Sequence, residues 1–208
     1  MRICEIFKSI QGEGLTMGVP TVFVRAVGCN LRCSWCDTTY STSGGEEMSI
    51  PEIMDRVGTC KTVCVTGGEP MLQEDILDLL DALLGAGKKV VLETNGSVDL
   101  KCLPDNSLLM ISMDIKCPSS GMQDRMLASN IPLLKKKDQL KFIIKDQADF
   151  DYAVQYLKDY PADTNVIFGP VGGTDKLQWL VESVLDNDVD ARVLPQLHKI
   201  IWGDKKGV

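Results

Sequence analysis

Three cysteines stand close together in the run Cys29-Asn-Leu-Arg-Cys33-Ser-Trp-Cys36. Thiolates are soft metal ligands, and three at this spacing can face one centre only if the backbone curls into a loop. Gly28, directly before them, supplies the freedom to start that curl. Three protein ligands leave one position of a tetrahedral or cubane site open, and an open position is where a metal does chemistry. Two other residues stand out by type. Arg25 lies inside an apolar run, so it needs a partner, either a structural ion pair or a bound anion. His198 is the only histidine, and a buried, satisfied core histidine is its plain alternative.

The elements that must position these residues follow from apolar periodicity. Strands are predicted over 3–10, 21–27, 60–66, 89–94, 108–113, 139–144 and 165–168. Ser49-Ile-Pro-Glu52 fits a capping box with proline in the first turn, so a helix runs from there to Gly58. A second helix carries Ile76, Leu79, Leu80, Leu83 and Leu84 on one face and stops at Gly85 and Gly87. A third turns Phe150, Ala153, Val154 and Leu157 inward and ends before Pro161, and a fourth carries Leu177, Leu180, Val181, Val184 and Leu185 on one side. Lys135-Lys-Lys137 reads as a solvated helix end, and Gly12-Glu-Gly14, taken by itself, as a surface turn.

Strands alternating with amphipathic helices predict an α/β fold, an incomplete (β/α) barrel of about six parallel strands in a single domain over 1–208. In such barrels the functional loops gather at the carboxyl ends of the strands. The cysteine loop, Thr66-Gly-Gly-Glu-Pro70, Glu93-Thr-Asn-Gly96, Asp114-Ile-Lys116 and Gly169-Pro-Val-Gly-Gly173 all fall there.

Composition narrows the function classes. The 208 residues are 44% hydrophobic, enough for a substantial core, and the net charge of -7 argues against a direct nucleic-acid partner. No apolar signal run or membrane-length apolar stretch is present, so a cytoplasmic location is expected. Eight cysteines without a secretory signal point to metal binding rather than a disulfide framework. Cys60 and Cys64 read as core residues.

Cys29, Cys33 and Cys36 at this spacing, with an aromatic residue before the last, resemble the radical S-adenosylmethionine superfamily. The motif Thr66-Gly-Gly-Glu-Pro70, with Glu93-Thr-Asn-Gly96 and Asp114-Ile-Lys116, extends the resemblance over nearly the whole chain. It implies a 4Fe-4S cluster on the three thiolates, with S-adenosylmethionine chelating the open iron and cleaved by one electron to a 5'-deoxyadenosyl radical. Trp35, Cys36, Asp37, Gly68, Asp114, Ile115 and Lys116 match cofactor-binding positions.

Within the superfamily, Phe7-Lys-Ser-Ile-Gln-Gly-Glu-Gly14, Phe23-Val-Arg25, Cys36-Asp-Thr38 and Gln196-Leu-His-Lys199 resemble the 7-carboxy-7-deazaguanine synthase family. That resemblance implies a lyase that contracts the ring of 6-carboxy-5,6,7,8-tetrahydropterin with release of ammonia, on the way to queuosine or archaeosine in transfer RNA. It implies magnesium on Thr38 and pterin contacts from Ile10, Gln11, Gly12, Arg25, Thr66, His198 and Val208. It also implies an external flavodoxin- or ferredoxin-like electron donor and a homodimer. Where relatives carry a glutamine before proline after the sixth strand, this chain has Phe168-Gly-Pro170. The alternatives are a glycyl-radical-enzyme activase, with a large protein substrate, and a non-enzymatic zinc module using the three cysteines with His198 or Cys64. The cluster reading predicts that Cys33→Ala abolishes both the iron-sulfur absorbance after anaerobic reconstitution and the reductive cleavage of S-adenosylmethionine; cleavage retained in that variant defeats the cluster assignment.

Overall fold

The structure, a computed structural model, describes residues 1–172, 174–205 and 207–208; Gly173, in the predicted loop after the sixth parallel strand, and Lys206 lie outside the described residues. Among the described residues nine strands form one sheet: β1 (Arg2–Ile10), β2 (Pro20–Ala26), β3 (Glu46–Glu47), β4 (Thr62–Gly67), β5 (Lys89–Thr94), β6 (Leu109–Ile115), β7 (Gln139–Ile144), β8 (Asn165–Pro170) and β9 (Arg192–Val193). Their order is β3-β1-β2-β4-β5-β6-β7-β8-β9. From β2 onward every neighbouring pair is parallel, so the six expected parallel strands are present and two-residue β9 extends them. The two outermost strands, β3 and β9, do not pair with each other, which leaves the barrel open. The strand predicted over 3–10 is not part of the parallel set: β1 is the antiparallel hairpin partner of β2 and pairs with β3 on its other edge.

The helices are α1 (Ile50–Val57), α2 (Ile76–Gly85), α3 (Gln147–Asp159), α4 (Leu177–Asp186) and α5 (Leu197–Trp202). The predicted capping box starts α1, with Ser49 N donating to Glu52 Oε2 at 2.8 Å and Glu52 N to Ser49 Oγ at 3.4 Å. In α2, Leu79, Leu80 and Leu83 are fully buried, as their spacing requires. Tyr156 joins Phe150 and Ala153 on the buried face of α3, where it meets Phe142 edge-on. On α4 only Leu180 and Val184 are buried, whereas Val181 and Leu185 are exposed. This helix packs on β8 and short β9 at the margin of the sheet, and the rest of its apolar stripe stays exposed. Lys135-Lys-Lys137 is a turn after a 3-10 helix (Ala128–Leu133) rather than a helix end, and Lys137 donates to Leu109 O and lies 3.2 Å from Asp138.

Between sheet and helices lies the main core, including Val24, Val65, Leu92, Met113, Ile115, Leu140, Phe142 and Phe168. On the other face of the sheet Phe23, Cys64 and Val91 form a second, small cluster with Phe7 and Met110 against it. Strand alternation then dictates what stands two residues further along on that inner face: Arg25 after Phe23, Thr66 after Cys64, Glu93 after Val91. The barrel interior therefore has an apolar floor and a polar upper layer at the carboxyl ends of the strands. Replacing the cap residue, Ser49→Ala, should cost about 1 kcal/mol of folding stability, measured by urea denaturation; an unchanged midpoint would show that the box does not start α1.

Candidate active site

One cavity of about 370 Å³ opens at the carboxyl ends of the strands. The cysteine loop forms one side of it. Gly28 takes φ +98, a left-handed conformation that favours glycine, and turns the chain out of β2. Gly28 N donates to Ser41 O at 2.8 Å, while Gly28 O accepts from Glu69 N at 2.8 Å. A Cβ on Gly68 would lie 2.1 Å from Gly28 O and 2.8 Å from Cys29 Cβ, so glycine there lets the two loops pack backbone to backbone. Glu69, fully buried, accepts from Asn95 N at 2.6 Å, Thr94 Oγ1 at 2.9 Å and Met71 N at 3.0 Å. Burial raises its pKa, and these bonds lower it. The acid of Thr66-Gly-Gly-Glu-Pro70 is thus a tie between the ends of β4 and β5.

The other end of the cysteine loop is clamped by the segment after β6. Trp35 Nε1 donates to Ser119 Oγ at 3.0 Å, and Ser119 Oγ donates to Asp149 Oδ2 at 2.5 Å. Asp149 is fully buried and also accepts from Ser119 N at 2.8 Å and Lys145 N at 2.9 Å. Lys116 Nζ stands 5.7 Å above the Trp35 ring, a cation–π contact.

Cys29, Cys33 and Cys36 are free and line this cavity, Cys29 and Cys33 half-buried and Cys36 exposed. Leu31 N at 3.4 Å and Asn95 Nδ2 at 3.7 Å donate to Cys29 Sγ, the kind of hydrogen bond that an iron-bound thiolate accepts. Burial raises the Cys33 pKa, and the Lys116 ammonium pulls it down. Among the described residues no three His, Cys, Asp or Glu side chains converge on a single ion position. A cubane, which takes each thiolate on a different iron, asks for no such convergence, and this donor set fits it. Of the two fourth ligands a zinc reading offered, Cys64 lies in the apolar floor of the barrel and His198 lies against Gly12 across the cavity.

The facing side of the cavity is built from the segment after β1 and the last helix. Gln11, buried, donates through Nε2 to Glu93 Oε1 at 3.1 Å, and Thr66 Oγ1 donates to Glu93 Oε2 at 2.8 Å. Gly12 O accepts from Leu197 N at 2.8 Å, and a Cβ on Gly12 would sit 2.0 Å from His198 Nδ1. Gly12 and Glu13 are therefore cavity wall rather than a surface turn, and Gly14 beside them is buried. Burial pushes the Glu13 pKa up, but Lys141 at 2.7 Å and Gln196 at 2.6 Å hold it down at about 2. Arg25 donates through Nε to Glu5 Oε1 at 2.8 Å and lies against Phe7 and Tyr40, so the ion-pair reading is met while the residue still lines the cavity. Burial lowers its pKa, and the Glu5 bond raises it to a net increase.

The remaining predicted residues fall into the same space with one exception. Ile10, Trp35, Asp37, Thr38, Gly68, Asp114, Lys116, His198 and Val208 all line the cavity. Thr38 Oγ1 donates to Asp37 Oδ1 at 2.8 Å, and Lys199 Nζ is 3.6 Å from Asp37 Oδ2. Ile115 does not: strand alternation points Asp114 inward and Ile115 into the main core, where it is buried. Phe168 is also core, and the cavity is reached beyond it by Val171 and Gly172. The sequence reading missed Glu13, Glu93, Lys141 and Gln196 as cavity residues. The available signal was a charge inside an apolar strand, as Lys141 is in Gln139-Leu-Lys-Phe-Ile-Ile144.

The model of the radical SAM superfamily matches residues 23–130. A 7-carboxy-7-deazaguanine synthase of Thermoplasma acidophilum is 41% identical over the whole of both chains. One of Methanospirillum hungatei is 44% identical over 97% of this chain and 85% of its own. The chain belongs to the 7-carboxy-7-deazaguanine synthase family. The crystal structure of QueE from Escherichia coli shares the fold, with a TM-score of 0.74 at 23% identity over 92% of each chain. Streptococcus suis SuiB shares it more distantly, with a TM-score of 0.60 over 83% of this chain and 47% of that one. As a member of the 7-carboxy-7-deazaguanine synthase family the chain is a radical S-adenosylmethionine enzyme, a lyase with a 4Fe-4S cluster and S-adenosylmethionine as cofactors.

The Glu13 pairing has a pH signature. Its carboxyl lies below the usual 4.5 in the folded chain, so its contribution to stability is complete above about 4.5 and is lost as pH falls towards about 2. Thermal melts over this range should show a steeper acid loss in the unaltered protein than in Glu13→Gln; parallel curves would refute the pairing.

Proposed function

We propose that this cavity binds S-adenosylmethionine beside the cysteine loop and 6-carboxy-5,6,7,8-tetrahydropterin against the Gln11-Gly12 segment, and that the enzyme contracts the pterin ring to 7-carboxy-7-deazaguanine with release of ammonia. The product enters the biosynthesis of the 7-deazapurine nucleosides of transfer RNA, queuosine or archaeosine. One observation carries the reading: the cysteine loop and the Gln11-Gly12-Glu13 segment, at opposite ends of the β2 stretch of chain, face each other across a single small-molecule cavity. On the side of the Gln11-Gly12 segment the cavity is bounded by Gln196 and Leu197, which hydrogen-bond to Glu13 and Gly12.

Cys29, Cys33 and Cys36 would hold the cluster, which when bound supplies the electron that cleaves the sulfonium of S-adenosylmethionine. Trp35, Asp37, Gly68, Asp114 and Lys116 orient that cofactor, Ile115 through its main chain. Arg25, whose guanidinium is fixed by Glu5, offers a planar cation to the pterin carboxylate. Ile10, Gln11, Gly12, Thr66, His198 and Val208 complete the pterin site. Magnesium takes few protein oxygens and keeps water or substrate oxygens, and Thr38 Oγ1, beside the last cysteine, is the proposed ligand. The enzyme acts as one domain, draws its electron from an external flavodoxin- or ferredoxin-like donor, works in the cytoplasm and forms a homodimer. No helix among the described residues is long and apolar enough to cross a membrane.

The reconstituted enzyme, incubated anaerobically with S-adenosylmethionine, reductant, magnesium and the carboxylated pterin, should give 7-carboxy-7-deazaguanine in excess over enzyme by mass spectrometry. Deoxyadenosine and methionine alone would refute the substrate. Thr38→Ala should slow ring contraction more than it weakens cofactor binding; equal losses would remove Thr38 from the metal role.

A further inference from the structure

Among the ion-paired side chains of the cavity that have no part in the roles above, Lys141 is the most buried. Lys141 sits midway along β7 between fully buried Leu140 and Phe142, and it is the ladder partner of Asp114 on β6. Its side chain is only 6% exposed. An ammonium in such a place is costly unless it is paired, and Lys141 Nζ is 2.7 Å from Glu13 Oε2 and 3.3 Å from Asp114 Oδ1. Each of these acids is engaged again. Asp114 Oδ2 accepts from Lys116 Nζ at 2.8 Å, and Lys116 covers the Trp35 ring. Glu13 Oε1 accepts from Gln196 Nε2 at 2.6 Å, and Gln196 leads into α5, whose His198 lies against Gly12. One line of contacts therefore runs from the cysteine loop through Lys116, Asp114, Lys141, Glu13 and Gln196 to the last helix.

We infer that Lys141 is a positioning residue for both ligands: its ammonium holds Asp114 on the cofactor side and Glu13 on the pterin side as one electrostatic unit. This rests on the assignment of Asp114 to S-adenosylmethionine and of Gly12 and His198 to the pterin. Without the ammonium, two carboxylates would face each other where water screens poorly, so one must take a proton or move away. If Glu13 moves, it carries Gly12 and Gln196 with it; if Asp114 moves, Lys116 loses its partner. Burial lowers the lysine's pKa, but Asp114, Glu13 and Glu93 override this and keep it well above the usual value, so the charge persists through the working pH range.

The test is anaerobic calorimetry on the reconstituted holoenzyme without reductant. It is titrated with S-adenosylmethionine and then, in its presence, with 6-carboxytetrahydropterin. Lys141→Met should weaken both ligands about tenfold or more, Glu13→Gln should weaken the pterin alone, and Lys141→Arg should keep both within about threefold. A Lys141→Met enzyme that binds both ligands as the unaltered one does, or loses only one, overturns the inference. If Lys141→Met does not fold, the double variant Lys141→Met/Glu13→Gln, which removes the ammonium together with one carboxylate, is judged by the same two affinities. If the unaltered holoenzyme binds S-adenosylmethionine but no pterin, the substrate reading fails separately. Lys141 is then judged on the cofactor: a loss upholds its hold on Asp114, and an unchanged affinity overturns the inference.

Discussion

Parallel pairing across seven strands is the constraint on which the remaining structure depends. Because β2 and β4 to β9 share one direction, their carboxyl ends form a single rim, and inward-facing side chains of neighbouring strands come to similar heights. Arg25 stands opposite Thr66 and Asp114 opposite Lys141 in the ladders. Two residues lower, Phe23, Cys64 and Val91 make a dry floor. Charges in the upper layer are shielded from water below and by the loops around them. Their mutual pairing is correspondingly strong, and each needs a partner of opposite sign.

The loops at the rim are held by backbone contacts and buried acids rather than by apolar packing. Gly28 and Gly68 approach within a distance that no side chain could share, and Glu69 and Asp149 gather main-chain donors from segments far apart in sequence. Such carboxylates resemble helix caps in function: they satisfy N–H groups that the end of a strand leaves unpaired. The result is a cysteine loop fixed at both ends while its sulfurs remain accessible, as a cluster with an open iron requires.

Closure of the cavity comes from the two ends of the parallel run. β1, antiparallel to β2, brings Gln11, Gly12 and Glu13 over the floor, and α5 returns from beyond β9 to meet them. An open barrel lacks further strands to close its mouth, and these segments take that place. Their meeting point, with His198 pressed against Gly12, leaves no room for a side chain at residue 12.

Much of this was legible in the chain itself. Strand and helix periods, the capping box at Ser49, the cysteine spacing and the glycine-rich turns are local signals, set by backbone preference and by which residues seek burial. They were enough to place six parallel strands and to bring the resemblance into view. Glu13 looked like part of a turn because its partners, Lys141 and Gln196, are more than a hundred residues away. Ile115 entered the site through the matched Asp114-Ile-Lys116 motif, whereas strand alternation sends its side chain to the opposite face. The stripe on α4 was legible, but periodicity reports amphipathicity and not how much sheet lies beneath it, so the exposure of Val181 and Leu185 was not. The sequence by itself determined the main strands and helices, though not β3, β9 or α5, and supplied the three thiolates that can ligate iron. Only the tertiary structure decided which charges meet, because a buried ion pair is fixed by strand register and loop closure, neither of which is encoded near the residues that form it.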